Sequence, residues 1–266
     1  MNWHAGEELA RRLELAEAES AAAYAAAQPG SAVERFGGGC AVFVGVASPL
    51  TQAIGIGMCC QVTSADVDRL EHFFRTRGTP PVIDLCPLAD PSLHAAVAAR
   101  GYRLTEFNNR LLRDAAEPVP AALTPVRIRE AGTVDEPVWV RVLAQGFLDR
   151  DQVTAEELRI GEILFRMRTS TCFLAEIDGE IAGAAAMSVH DGVAVLFADA
   201  TRVVMRGRGV HQALIAARIE QARAAGCELI TASTLPGSGS QRNYERLGFR
   251  VIYTKVQMTG AAGTGW

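Results

Sequence analysis

The chain has 266 residues, 49% of them hydrophobic, and a formal net charge of −4. That is enough apolar material for one large or two ordinary cores and argues against global disorder, while the acidic balance gives no basis for nucleic-acid binding. Six cysteines without a Cys-x-x-Cys pair and five histidines without ligand spacing exclude the common metal motifs, and they fit a reducing, cytoplasmic setting.

Residues 1–28 are alanine-rich but carry Glu7, Glu8, Glu14, Glu17 and Glu19. That excludes a secretory leader, and the apolar stretches are too short for a bilayer span, so the segment reads as one long surface helix with no membrane role. Apolar strands follow over 40–46 and 53–59, then a helix over 64–75 and a strand over 82–85. A helix capped near Asp90 or Ser92 ends at Arg100-Gly101, and a strand covers 102–112. Residues 114–125, with Pro118, Pro120 and Pro125, form the expected linker between domains at 1–115 and 125–266.

Past the linker the alternation predicts a strand over 126–129. Thr133 with Glu136 and Thr154 with Glu157 have capping-box spacing, for helices reaching about 145 and 167. Strands over 172–177 and 181–189 flank Asp178-Gly179, a hairpin signal. His190-Asp191-Gly192 turns the chain into a strand over 193–201. A helix over 210–224, a strand over 229–232, a short helix over 241–247 and a strand over 249–257 complete the order. Residues 260–266 read as a frayed tail.

The most informative stretch is Arg206-Gly207-Arg208-Gly209-Val210-His211, between a strand and a helix. The first N–H groups of a helix lack intrahelical partners and carry partial positive charge, so a glycine turn leading into a helix can hold a phosphate. Arg206 and Arg208 add cationic forks suited to phosphate oxygens. Spacing alone leaves open a plain turn with two solvated arginines. A P-loop is excluded because no Gly-Lys-Ser or Gly-Lys-Thr is present. A dinucleotide fingerprint fails because its third glycine falls on Gln212.

Arg206-x-x-Gly209-x-His211 resembles the acyl-CoA pyrophosphate loop of the GNAT superfamily of N-acetyltransferases, departing only at His211, where the family has Gly or Ala. Downstream, Tyr244-Glu245-Arg246-Leu247-Gly248-Phe249 is similar to the family's Tyr-x-x-x-Gly-Phe. The resemblance covers about 125–258. The helix–Gly–aromatic–strand rhythm recurs at Arg100-Gly101-Tyr102-Arg103, which suggests a tandem arrangement with a degenerate first half. Where the second half has its glycine loop, the first has Cys59-Cys60-Gln61-Val62-Thr63, so its role is expected to be structural.

The resemblance implies an α/β (α+β) fold of two GNAT-like domains. Each has a mixed, mostly antiparallel sheet flanked by helices, and the second has a V-shaped strand splay for acyl-CoA. It implies acetyl-CoA as co-substrate, no metal, and a primary amine of a small molecule or peptide as acceptor; a homodimer stays open. The implied cofactor contacts are Ala198, Ala200, Thr201, Val203, Arg206, Gly207, Arg208, Gly209, Val210, His211, Ser238, Ser240 and Asn243. Tyr244 takes the family's general-acid position. The usual early carboxylate position on the preceding strand falls near Val195, which cannot act as a base. Asp199, placed by period two on the face of Val195 and Phe197, is the substitute. It orients the amine, takes its proton, or only caps the turn. A non-catalytic acyl-CoA-binding module and a transferase of longer acyl groups, with room left by the small residues of 182–186, are the alternatives.

Overall fold

Residues 5–119 and 125–261 are described in the computed structural model, so part of the expected linker and most of the expected tail lie outside the described residues. The first half runs α1 (Glu7–Ala26), β1 (Ala32–Phe36), β2 (Gly39–Phe43), β3 (Gln52–Ile54), α2 (Ser64–Arg75), β4 (Val82–Leu85), α3 (Pro91–Ala99) and β5 (Arg103–Asp114). The second runs β6 (Arg127–Glu130), α4 (Glu136–Leu148), α5 (Ala155–Arg166), β7 (Ser170–Ile177), β8 (Glu180–His190), β9 (Val193–Thr201), α6 (Val210–Ala224), β10 (Leu229–Thr234), α7 (Gly239–Arg246) and β11 (Arg250–Thr259). Two units form: the described residues up to Arg110 with those from Val251 onward, and Leu111–Arg250. The sequence places all of 125–266 in one domain, whereas in the structure the last strand groups with the first unit.

Charge explains that grouping. In the first unit β11 pairs antiparallel with β4, Val256 opposite Leu85. Lys255 is fully buried and meets Glu14 at 3.2 Å, Glu17 at 2.6 Å and Asp84. Tyr253 donates to Glu14 at 2.9 Å, and buried Arg110 of β5 joins both glutamates. A buried charge is tolerated only when paired and hydrogen-bonded, so β11 is held where these partners are. Helix α1 is therefore not simply a surface helix: Leu9, Leu13 and Glu14 lie on its buried face.

The second unit has the order β10-β9-β8-β7-β6, with the end of β5 beside β10. Asp178-Gly179 and Asp191-Gly192 make the expected tight turns, both residues of each having positive φ. The Thr154/Glu157 capping box forms. The Thr133/Glu136 box does not: Asp135 accepts the Gly132 N–H at 2.9 Å and is held by Arg129, and a 3-10 turn over Thr133–Asp135 leads into α4.

Helices α4 and α6 cover opposite faces of this sheet. A Cβ on Gly146 of α4 would meet Ala200, and one on Gly183 of β8 would meet Val210 and Leu214 of α6. Buried Trp139 of α4 donates to the Phe173 and Ala185 carbonyls. Ala182 and Ala184–Ala186 are fully covered. The small residues there serve close packing of helices on the sheet. Gly183→Ala should destabilise the fold by about 1–3 kcal/mol, the usual cost of overpacking. The added Cβ would sit 2.7 Å from the Ala200 carbonyl oxygen and 2.7 Å from Val210 Cγ1. Urea unfolding of the variant measures this.

Candidate active site

Two backbone irregularities shape the site. Parallel pairing of β9 with β10 ends at Leu196 opposite Ala232, although the strands continue to Thr201 and Thr234. Past that point they part, which is the expected splay. One step further, Ala184 of β8 pairs with Ala200 but Ala186 pairs with Phe197, so β9 carries an extra residue, and Ala198 adopts φ +58°. This is a β-bulge, which frees backbone polar groups from the ladder and re-aims the side chains beyond it.

The bulge overturns the period-two placement of Asp199. Beyond it, Thr201 pairs with Gly183, which faces α6. Asp199 shares that face, with Ala194 and Leu196, and not the face of Val195 and Phe197. There it meets fully buried Arg218 of α6 in an ion pair. The Tyr244 hydroxyl donates to Asp199 Oδ2 at 2.6 Å, and His211 Nε2 lies 3.4 Å from Oδ1. Burial alone would raise the Asp199 carboxyl, but the Arg218 guanidinium, with His211, holds it well below the usual carboxylate range. Paired with Arg218 and reached by Tyr244 and His211, this carboxylate is placed to receive hydrogen bonds. Burial first, and then the Asp199 charge, push the Tyr244 phenol well up.

Arg218 also donates to three carbonyls: Leu214 at 3.1 Å, Ala186 at 3.0 Å and Phe197 at 3.3 Å. Ala186 and Phe197 are the pair at the edge of the bulge. His211 is fixed from its other side. Asn243 Oδ1 accepts from Gln212 at 3.1 Å and Arg246 at 3.0 Å, which turns its amide NH2 toward His211 Nδ1 at 3.0 Å. In the neutral ring Nδ1 then accepts and Nε2 carries the hydrogen toward Asp199.

Helix α6 begins at Gly209, which has φ +80°, with no side-chain cap and no acidic residue in its first turn. Its first N–H groups open on a pocket of about 550 Å³ lined by Asp199, Thr201, Met205, Arg206, Gly207, Gly209, Val210, His211, Gln212, Gly239, Ser240, Asn243 and Arg246. The corresponding helix of the first unit, α2, has a capping box between Thr63 and Asp66. Its own side chains answer its N-terminal donors, and Asp66 repels anions there.

Of the residues singled out from the sequence, Asp199, Thr201, Arg206, Gly207, Gly209, Val210, His211, Ser240 and Asn243 converge on this pocket. Ala198 and Ala200 are buried in the bulge region. Val203 opens an exposed 3-10 turn, and Ser238 caps α7 through the Gln241 N–H. Arg206 is engaged by Asp149 and the Gly146 carbonyl, and Arg208 by Asp178. Both pairs are exposed, of a kind worth about 0–1 kcal/mol and readily exchanged for a phosphate. Tyr244 is buried, with its ring edge-on to His211 and Phe249, centroids 5.7 and 4.9 Å apart. Gly248, at φ +86°, makes the turn that brings Phe249 there. Sequence reasoning missed Arg218, Gln212 and Arg246. The signal for Arg218 was a charge on the apolar stripe Leu214, Ile215, Ile219, Ala222 of α6. No group of residues suited to holding a metal ion, and no helix long and apolar enough to cross a membrane, occurs among the described residues.

The sequence profile of the acetyltransferase (GNAT) family matches residues 139–249, the segment that carries the bulge, the glycine loop and Tyr244. The second unit belongs to this family. The fold likeness extends over the whole chain. A GCN5-related N-acetyltransferase from Kribbella flavida superposes with a TM-score of 0.71 at 18% identity, covering 95% of this chain and 96% of that one. A tandem GNAT protein from the clavulanic acid biosynthesis pathway, solved without AcCoA, gives 0.63 at 14% identity, with 99% and 98% covered. The two-domain GNAT-like fold is thus that of tandem GNAT structures. No curated protein matches the sequence significantly.

Removing one member of the buried pair in this GNAT domain leaves the other uncompensated. Arg218→Met should cost about 3–5 kcal/mol in chemical denaturation, and Arg218→Met with Asp199→Leu should recover most of it.

Proposed function

We propose that the chain is an acetyl-CoA-dependent N-acetyltransferase, carrying an acetyl group to a primary amine of a small molecule or peptide by direct attack on the thioester. The observation that carries this reading is the uncapped start of α6 opening on a pocket beside a bulged strand. The pyrophosphate rests on the N–H groups of Val210, His211 and Gln212, with Arg206 leaving Asp149 to join it. The thioester lies in the splay, its carbonyl polarised by backbone N–H groups at Ala198–Ala200. The neutral amine attacks the carbonyl carbon, the C–S bond breaks, and the departing thiolate takes the Tyr244 hydroxyl proton. Before transfer Asp199 receives the Tyr244 hydroxyl hydrogen and positions the phenol oxygen; that hydrogen turns from Asp199 to the sulfur as the thiolate forms. The amine arrives neutral, its nitrogen gives up a proton to solvent once the C–N bond has formed, and solvent restores the proton that Tyr244 has given away.

A second reading is a non-catalytic acyl-CoA-binding module. The engagement of Asp199 by Arg218 favours it, because that pair leaves the pocket's one carboxylate poorly suited to act as a base. Turnover separates the two readings.

Gly209→Val should abolish acetyl-CoA binding in calorimetry, because a branched side chain resists the left-handed backbone and blocks close approach. Arg206→Ala should weaken binding by about 1–3 kcal/mol. Normal binding by both folded variants would place the cofactor elsewhere. Tyr244→Phe keeps the ring and should lower turnover by about 10² to 10⁴, with little change in acetyl-CoA affinity. Full activity across the pH range would remove Tyr244 from the acid role.

A further inference from the structure

Arg218 touches neither the pocket nor its opening: it has no exposed surface and does not line the cavity. Yet its guanidinium meets both features on which acyl transfer relies. Through Nη1 it holds the carbonyls of Ala186 and Phe197, the pair at the edge of the β9 bulge. Through Nη2 it holds Asp199, whose other oxygen takes the Tyr244 hydroxyl. Nε is anchored to the Leu214 carbonyl one turn back on its own helix. A planar fork with fixed donor directions can satisfy such divergent acceptors at once, which a lysine ammonium on a flexible stem does not reproduce.

We propose that Arg218 is a positioning residue for the transfer step, locking the bulged backbone and the Tyr244 hydroxyl into one geometry. The proposal rests on the transferase reading. The bulge directs backbone N–H groups at the thioester carbonyl, and Asp199 sets where the phenol points. One guanidinium ties the two together, so neither moves independently. The groups facing Asp199 are Arg218 and His211 from α6 and Tyr244 from α7. Asp199 works as an acceptor among them, and its loss is not made good by a less acidic solution.

The test uses the full chain and two variants, Arg218→Lys and Asp199→Asn. Acetyl-CoA affinity is measured by calorimetry, and thiol release is followed across pH with a panel of primary amines. Both variants are expected to bind acetyl-CoA nearly as wild type does. Each should lose about a hundredfold in kcat, the scale of a misplaced oxyanion donor or acid, with KM for acetyl-CoA nearly unchanged. The loss should be the same at every pH. Wild-type kcat in Arg218→Lys overturns the proposal. So does affinity falling in step with kcat, which marks a merely structural residue, and so does recovery of Asp199→Asn at high pH, which makes Asp199 the base. If Arg218→Lys does not fold, Asp199→Asn decides, because it breaks the charged link between the guanidinium and Tyr244: wild-type kcat in that variant overturns the proposal. If wild type releases no thiol with any amine, the transferase reading fails by itself. Amide hydrogen exchange at Ala198–Ala200 then judges Arg218. Faster exchange in Arg218→Lys, with α6 still protected, supports it, and unchanged exchange overturns it.

Discussion

The site of the second unit depends on one buried ion pair. Arg218 is fully buried and meets Asp199 at the inner wall of the pocket, where an unpaired guanidinium would be prohibitively costly. The pair survives because each nitrogen of the guanidinium is answered, by Asp199 and by the Leu214, Ala186 and Phe197 carbonyls. Two of those carbonyls border the β9 bulge, so the cation compensates for the ladder broken there. The bulge reverses the facing of Asp199, and the reversal brings the carboxylate to Tyr244 and His211. Bulge, ion pair and phenol orientation are therefore a single arrangement.

The first unit solves a related problem without building the same site. Its β3 and β4 also run parallel, with Ala53 opposite Ile83. Its helix α2, however, is closed at its start by Thr63 and Asp66, whereas α6 is left open at Gly209. Its buried charges, Glu14, Arg110 and Lys255, bind α1, β5 and β11 to one another and line no helix terminus. That contrast supports a structural role for this unit and a cofactor site in the other.

Much of this was legible in the residues. The bounds of α2, β4, β9 and α6 follow from hydrophobic period and capping signals, and the glycine loop lines the pocket, while Tyr244 lies buried behind it and reaches the pocket wall through Asp199. What escaped has physical causes. Strand β1, Ala-Val-Glu-Arg-Phe, does not stand out because two charges interrupt it and only Phe36 is buried. The bulge has no signature in Ala198, a residue type with no preference for positive φ, and so period-two counting put Asp199 on the wrong face. Arg218 reads as one more helix cation until its stripe is seen to be apolar. The return of β11 to the first unit depends on partners nearly the whole chain away, Lys255 with Glu14, which no local pattern reveals.

On the proposed function, an acyl-CoA lies at the start of α6 with its thioester against the β9 bulge. A crystal structure of the full chain with acetyl-CoA tests this most directly. Pyrophosphate oxygens are expected within hydrogen-bond reach of the Val210, His211 and Gln212 N–H groups, with Arg206 turned away from Asp149 and the acetyl carbonyl facing the backbone of Ala198–Ala200 near the Tyr244 hydroxyl. Acetyl-CoA held away from the α6 N-terminus, or a bulge straightened on binding with Arg218 no longer on Asp199, would contradict it.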